Sequence, residues 1–236
     1  MKVAIHQPQY FPWPPYVHKV MSADIFVYLD TVQFSKNGLQ NRNQIKTPQG
    51  PQWLTIPVKQ RLGQRLLGTT VADSHASTKH WKTLLANYAR TVGFARWRNE
   101  LQSLLEQPRE LLTELTIAST EWMLDKMSVA ARRVRASEIA HTTGEASRLI
   151  ASICNSLKAD SYLTGTGALA YINPSDFSAI GCHILVQQWK PFTYKQAHPE
   201  IGFVPDLSSL DLLLNCPDEA AGLITSAGSW TALQTT

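Results

Sequence analysis

Short apolar runs, separated by polar or proline-rich stretches, recur along the chain and predict a sheet. Val3-Ala4-Ile5 is the first and Ile25-Phe26-Val27-Tyr28-Leu29 the second. Continuous apolar runs of this length suit strands buried on both faces, as in a parallel sheet. The stretch 17–23 between them is helix-capable, so the pattern reads as a βαβ unit. Residues 133–136, 160–163 and 183–187 read as further strands. Leu149, Ile150, Ile153 and Leu157 give one apolar face to a helix over 144–157, with Thr143 its candidate N-cap. The fold class is therefore α/β, with a mostly parallel sheet of about five strands.

Two departures from that pattern are legible. Residues 43–46 and 53–58 read as a β-hairpin excursion around Thr47-Pro48-Gln49-Gly50, which has Pro and Gly where a type I turn takes them. Residues 78–127 read as a helical block, with helices over 78–90 and 97–105 and a third opened by Pro108. Residues 61–77 read as loop with one strand at 68–72. A final helix begins near Leu207, with Ser208 as its cap. We expect a single domain over 1–228 and a C-terminal tail over 229–236.

The least ordinary stretch is HQPQYFPWPPYVHK, residues 6–19. Four prolines make it a stiff loop at the end of the first strand, since proline fixes φ and lacks an N–H. A preorganised loop bearing polar and aromatic groups suits a small-molecule site. A rigid turn with its aromatics packed inside is the plainer reading. Residues 30–50 carry many side-chain amides beside Lys36, Arg42 and Lys46, which suits either a ligand or an exposed loop. Thr164-Gly165-Thr166-Gly167 follows a strand but matches neither GxGxxG nor a P-loop.

Composition narrows the class. Of 236 residues, 44% are hydrophobic and 17% charged, which is ordinary for a globular protein. The net charge of +4 is not gathered into blocks, which does not argue for DNA wrapping and fits an anionic small substrate at least as well, so no DNA partner is expected. Three cysteines without CxxC spacing argue against a disulfide framework and a zinc site. Cys154 is expected to be packed. No apolar run reaches the length of a membrane span, and no signal peptide is evident, so a cytoplasmic location is expected.

Three groups of motifs together carry a family resemblance. HQPQYFPW…Y..K is followed by AD.FV.LD.VQF.K and NRNQIK…G..WLTIPV; YLTGTGALAYI, YKQ and F.P.LS..DLL.N come later. Over residues 2–225 the chain resembles the WbqC-like protein family. One departure is Pro15, where the family tends to have glycine. The resemblance implies a place in O-antigen and other surface-polysaccharide biosynthesis, and transfer of a glycyl or other aminoacyl group onto an amino sugar or sugar nucleotide. It carries over His6, Gln7, Tyr10, Tyr16 and Lys19 in the first loop, then Gln33, Asn41, Arg42 and Asn43, then Thr164, Gly165, Gln196, Ser208 and Asp211. The first loop and the FV…QF segment are also reminiscent of adenylate-forming enzymes of the nucleotidyltransferase (HUP-like) fold, although no HxGH is present.

For acyl transfer, His6 is the first choice of base, at a strand end, and His18 the second. Arg42, Lys19 and Lys46 would hold a diphosphate, and Tyr10 or Trp13 would stack on a ring. No metal ligand set is assigned. The adenylate-forming alternative would need ATP and Mg²⁺, with Asp30 and Asp211 the evident carboxylates. A non-catalytic sugar-nucleotide binder or scaffold is the third class. Each places the site where the first loop, residues 30–46 and the 164–167 turn converge.

Overall fold

Alternation along the first strands divides the interior into two cores. The computed structural model describes residues 1–59 and 61–234. In β1 (Lys2–His6) and β2 (Ile25–Tyr28), Val3, Ile5, Ile25 and Val27 face one core, and Ala4, Phe26 and Tyr28 the other. Both strands are apolar on both faces because both faces are covered. α1 (Pro14–Ser22) connects them.

The excursion that follows holds a hairpin, β3 (Arg42–Thr47) and β4 (Gly50–Thr55), paired from Arg42 opposite Thr55 to Thr47 opposite Gly50. The helical block is α2 (Ala76–Tyr88), α3 (Val92–Glu106) and α4 (Leu112–Lys126). The sheet resumes with β5 (Arg132–Arg135), then α5 (Ala146–Ser156), β6 (Ser161–Thr164), α6 (Pro174–Ser178) and β7 (His183–Trp189). α7 (Ser209–Asn215), α8 (Ala220–Ala227) and β8 (Gly228–Ala232) complete it.

Among the described residues the sheet has six strands in the order β5-β2-β1-β6-β7-β8, all parallel except β8. Ile150, Ile153 and Phe177 of α5 and α6 cover one face. Val17, Met123, Leu212 and Ile224 of α1, α4, α7 and α8 pack in the core on the other. Counting only the parallel strands in chain order gives 3-2-1-4-5, the doubly wound arrangement. The chain leaves β1 and β6 in opposite directions, so a crevice opens beyond their carboxyl ends.

Several expected elements differ. α1 begins at Pro14, inside the stretch expected to be loop, because prolines in a first helical turn forgo N–H groups that have no helical partner. Residues 66–68 form a short 3₁₀ turn, and the strand expected at 68–72 is reduced to single bridges from Thr70 to Leu111 and Val71 to Val58. Pro108 precedes α4 without joining it. The cap position of α5 is Glu145 and not Thr143. Ser208 does cap α7, accepting from Leu210 N at 3.0 Å, but α8 follows it. The tail expected from 229 instead contributes β8, whose partner is the edge of β7. Residues 235 and 236 lie outside the described residues.

α3 and α7 approach closely at Gly93, where an added Cβ would lie 2.3 Å from Leu213 O. We predict that Gly93→Ala forces the helices apart and costs about 1–3 kcal/mol in urea denaturation. Gly222→Ala on α8 meets nothing within 4 Å and should be neutral or slightly stabilising.

Candidate functional site

Residues 7–13 form a buried, irregular loop, so their backbone polar groups need partners from elsewhere. Three elements and Leu39 supply them. Tyr10 N donates to Leu39 O at 3.2 Å, just before β3. Phe11 N donates to Ser119 Oγ of α4 at 3.2 Å, and Thr120 Oγ1 donates to Gln9 O at 3.1 Å. Phe11 O accepts from Asn43 Nδ2 of β3 at 2.8 Å and from Ser208 Oγ at 2.6 Å. Pro12 O accepts from Ser209 N of α7 at 2.9 Å. Tyr10 OH meets His80 Nδ1 of α2 at 2.9 Å. The loop can therefore hold Phe11 at a φ of 43°, in the left-handed region.

The fixed loop and the turn after β6 border a cavity of about 770 Å³ beyond the carboxyl ends of β1 and β6. His6, Gln7, Trp13 and Lys19 line it from the N-terminal side, Thr164, Gly165 and Thr166 from the β6 side, and Gln187 and Trp189 from β7. Lys19 is its single charged lining residue among those described. The side chain is 7% exposed and makes neither a salt bridge nor a hydrogen bond among the described residues. A Cβ at Gly165 would lie 3.6 Å from its Nζ, so this glycine keeps the space in front of the ammonium open. Burial disfavours the charged form and brings the Lys19 pKa down to about 7.

His6 Nδ1–H donates to Gln7 O at 3.0 Å, which leaves Nε2 as the free lone pair. Burial and the charge of Lys19 lower the His6 pKa to about 3, against the opposing effect of the Gln7 bond. His6 is thus neutral across the working pH range, while the Lys19 amine is half neutral near pH 7. A neutral imidazole and one titrating amine line this cavity beside the phenols of Tyr162 and Tyr171, both of which burial keeps protonated.

The model of the WbqC-like protein family matches residues 7–222, from the first loop to α8. The chain belongs to the WbqC-like protein family. The uncharacterized protein Rv1507c of Mycobacterium tuberculosis (strain ATCC 25618 / H37Rv) is 31% identical over 223 residues, covering 93% of this chain and 95% of its own. No solved structure matches the chain.

Of the residues suggested by the WbqC-like motifs, the cavity gathers His6, Gln7, Lys19, Thr164 and Gly165, together with Trp13. Tyr16 lies beneath it, its ring edge-on to His6 at 4.9 Å. The amide-rich segment does not line the cavity, contrary to the expected convergence. Asn43 holds the first loop, and Asn41 Nδ2 bonds Ile56 O at 2.8 Å in the neighbouring loop. Gln40 Nε2 reaches Gln7 Oε1 at 2.6 Å, so this segment touches the site from behind. Gln33 pairs with Arg65 in a single bridge. Arg42 lies over the Trp53 ring at 4.3 Å and donates to Asn37 O. Tyr10 is fully buried against His80.

Lys46, Gln196 and Asp211 form a second buried polar region. Asp211 accepts from Tyr88 OH and, at 2.7 Å, from Tyr194 OH, with the charge of Lys46 nearby. Lys46 Nζ donates to Gly202 O at 2.6 Å, and Gln196 bonds both backbone groups of Val204. Ser208 is occupied by Phe11 O and the helix cap. His18, the second choice of base, is 3% exposed behind the cavity wall. Its Nδ1 accepts from Gln187 Nε2 at 2.8 Å, and its ring stacks on Trp230 of β8 at 5.5 Å. Asp30 accepts from Ser137 N and Oγ. Neither Asp30 nor Asp211 lines the cavity, so a Mg²⁺ there would rely on oxygens of a bound phosphate. Gln187, Trp189 and Tyr171 line it without having been singled out from the sequence. Gln187, a polar residue closing a predicted strand, was the readable signal.

Two variants separate these regions. Asp211→Ala strips a buried and a half-buried tyrosine hydroxyl of their acceptor, and is expected to lower stability by about 3–5 kcal/mol without altering ligand affinity at the cavity. Lys19→Met should stabilise. The folded pKa of Lys19 lies below its ordinary 10.5, so the unfolded chain binds more protons between about pH 7 and that value. The burial penalty is therefore full below about pH 7 and fades as the pH rises. The gain in Lys19→Met should be on the order of 3 kcal/mol in acid and shrink toward alkaline pH, as read from denaturation at several pH values.

Proposed function

We propose that the protein transfers an acyl group, glycyl or another aminoacyl, from an activated donor onto the amine of an amino sugar or sugar nucleotide during surface-polysaccharide assembly. The observation that carries this reading is the Lys19 amine, unpaired among the described residues, at the point where β1 and β6 diverge; it faces a cavity with no other charged lining residue among those described. Open α/β sheets bind ligands at that crevice. The family resemblance supports the polysaccharide setting.

In this mechanism the acceptor amine attacks the acyl carbonyl carbon. A C–N bond forms, and the bond to the leaving group breaks with its electron pair on the leaving group. The proton lost from nitrogen passes to the neutral Lys19 Nζ, whose pKa near 7 matches the task. The resulting ammonium lies beside the departing anion and balances its charge. His6, the base expected from the sequence, is too weakly basic at a pKa near 3 and instead orients a reacting group through its free Nε2.

An adenylate-forming ligase is the second reading, and the doubly wound parallel sheet with its crevice beyond β1 and β6 is compatible with it. ATP with Mg²⁺ would then supply the activation, and the same Lys19 would face the phosphates.

A thermal-shift screen against UDP- and dTDP-sugars, acyl-CoA, and ATP with Mg²⁺ separates the two. The transfer reading expects stabilisation by a sugar nucleotide that is lost in Lys19→Met, and an amide product detected by mass spectrometry. Its kcat/KM should fall about tenfold per pH unit below about pH 7, as Lys19 becomes protonated. Stabilisation by ATP with Mg²⁺ alone would favour the ligase, and no shift with any ligand would sink both.

A further inference from the structure

A second depression adjoins the cavity and shares its wall. It measures about 340 Å³, near the small end for ligand sites and suited to a single ring, whereas the cavity of about 770 Å³ has room for a nucleotide-sized molecule. Trp13, Pro15 and Trp189 border both. From Trp189 an aromatic row continues along the depression: Phe192 at 6.0 Å, Tyr194 at 6.0 Å from Phe192, and Phe203 at 5.5 Å from Tyr194. Phe203 is 39% exposed, a large apolar surface left open beside a polar group.

That polar group is Asp206, the single charged residue lining the depression among those described. It is exposed, makes no hydrogen bond or salt bridge among the described residues, and sits at a φ of 57°. The two adjoining sites thus carry one unpaired charge each among the described residues, of opposite sign: Lys19 in the cavity and Asp206 in the groove.

We propose that the groove is the acceptor subsite and binds a saccharide ring. The proposal rests on the transfer reading for its place in the reaction. The apolar C–H face of a pyranose lies against aromatic rings, and a carboxylate accepts from its hydroxyls in strong charge-assisted bonds. A ring so held lies beside the border that Trp13 and Trp189 share with the cavity, which Lys19 lines. Among the described residues the groove lacks a cation to hold phosphate, so the diphosphate of a sugar-nucleotide acceptor reaches into the cavity beside Lys19 while its sugar ring stays in the groove.

Saturation-transfer NMR on the full chain tests this with glucosamine, glucose and the open-chain polyol sorbitol. Both sugars are expected to bind, sorbitol is not, and Asp206→Asn is expected to weaken both sugars at least fivefold. Asparagine also tolerates a left-handed backbone, so the fold is preserved in that variant. Phe203→Ala should weaken them at least threefold, and Lys19→Met should leave them within twofold. Sorbitol binding as well as the sugars, binding that needs the ammonium of glucosamine, or affinity unchanged in Asp206→Asn would each overturn the subsite. Failure of the transfer reading is distinguishable: sugar binding dependent on Asp206, with no amide product from any donor, would leave the subsite standing. Amide formation with an unchanged KM for the sugar in Asp206→Asn would do the reverse.

Discussion

A loop buried in a protein must find partners for its own backbone, and residues 7–13 impose that requirement on the rest of this chain. Each unmet polar group in such a place costs on the order of 1–3 kcal/mol. The demand is met by Asn43, Ser119, Thr120 and Ser208, drawn from the hairpin, α4 and the start of α7. These are short side chains on rigid elements, so they hold the loop as firmly as a sheet would. The excursion between β2 and β5, which looks like a long digression, is what makes the loop tenable. His6, Gln7 and Trp13 inherit their positions from it.

The same rigidity accounts for how Lys19 is kept without a counter-ion among the described residues. A buried ammonium ordinarily moves toward water or acquires a carboxylate. Lys19 has no carboxylate partner among the described residues and opens only onto the cavity, because α1 is pinned on both sides. Its first turn is preset by Pro14 and Pro15, and His18 beside it is locked by Gln187 and Trp230. The helix therefore delivers the amine to the cavity at a cost in stability that packing elsewhere must offset. A group that weakens the fold while facing an open cavity is the usual sign of a functional demand.

Much of the frame was legible because a short, unbroken apolar run between polar stretches can be sheltered from water on both sides only within a covered sheet. The runs at Val3–Ile5 and in Ile25–Tyr28 correspond to strands buried on both faces, and the Thr-Pro-Gln-Gly turn made its hairpin. The amide-rich segment was less readable. Asparagine and glutamine serve a ligand and a buried backbone with the same donors and acceptors, and sequence does not say which will be nearby. Asn41 and Asn43 proved to serve backbone, although Gln40 touches Gln7. His18 and Asp211 carry reactive chemistry but are spent on long-range contacts, with Gln187, Tyr88 and Tyr194, that no local pattern announces. β8 was missed for the same reason: Gly228–Ala232 becomes a strand only because β7 offers an edge, and Gly228 leaves room for the His18 ring.

The distribution of charge constrains the chemistry more sharply than the fold does. A doubly wound sheet serves many reactions at its switch point, so its order alone selects none. A cavity whose one charged lining group among the described residues is a lysine favours anions. A neighbouring groove whose one such group is a carboxylate, set among aromatic rings, favours a hydroxyl-bearing ring. The proposed transfer would bring two substrates of different character to the border of these two sites, since the acceptor must reach the activated carbon without displacing the donor's anion. Trp13 and Trp189 border both sites, and the loop whose backbone organises the chain ends at Trp13.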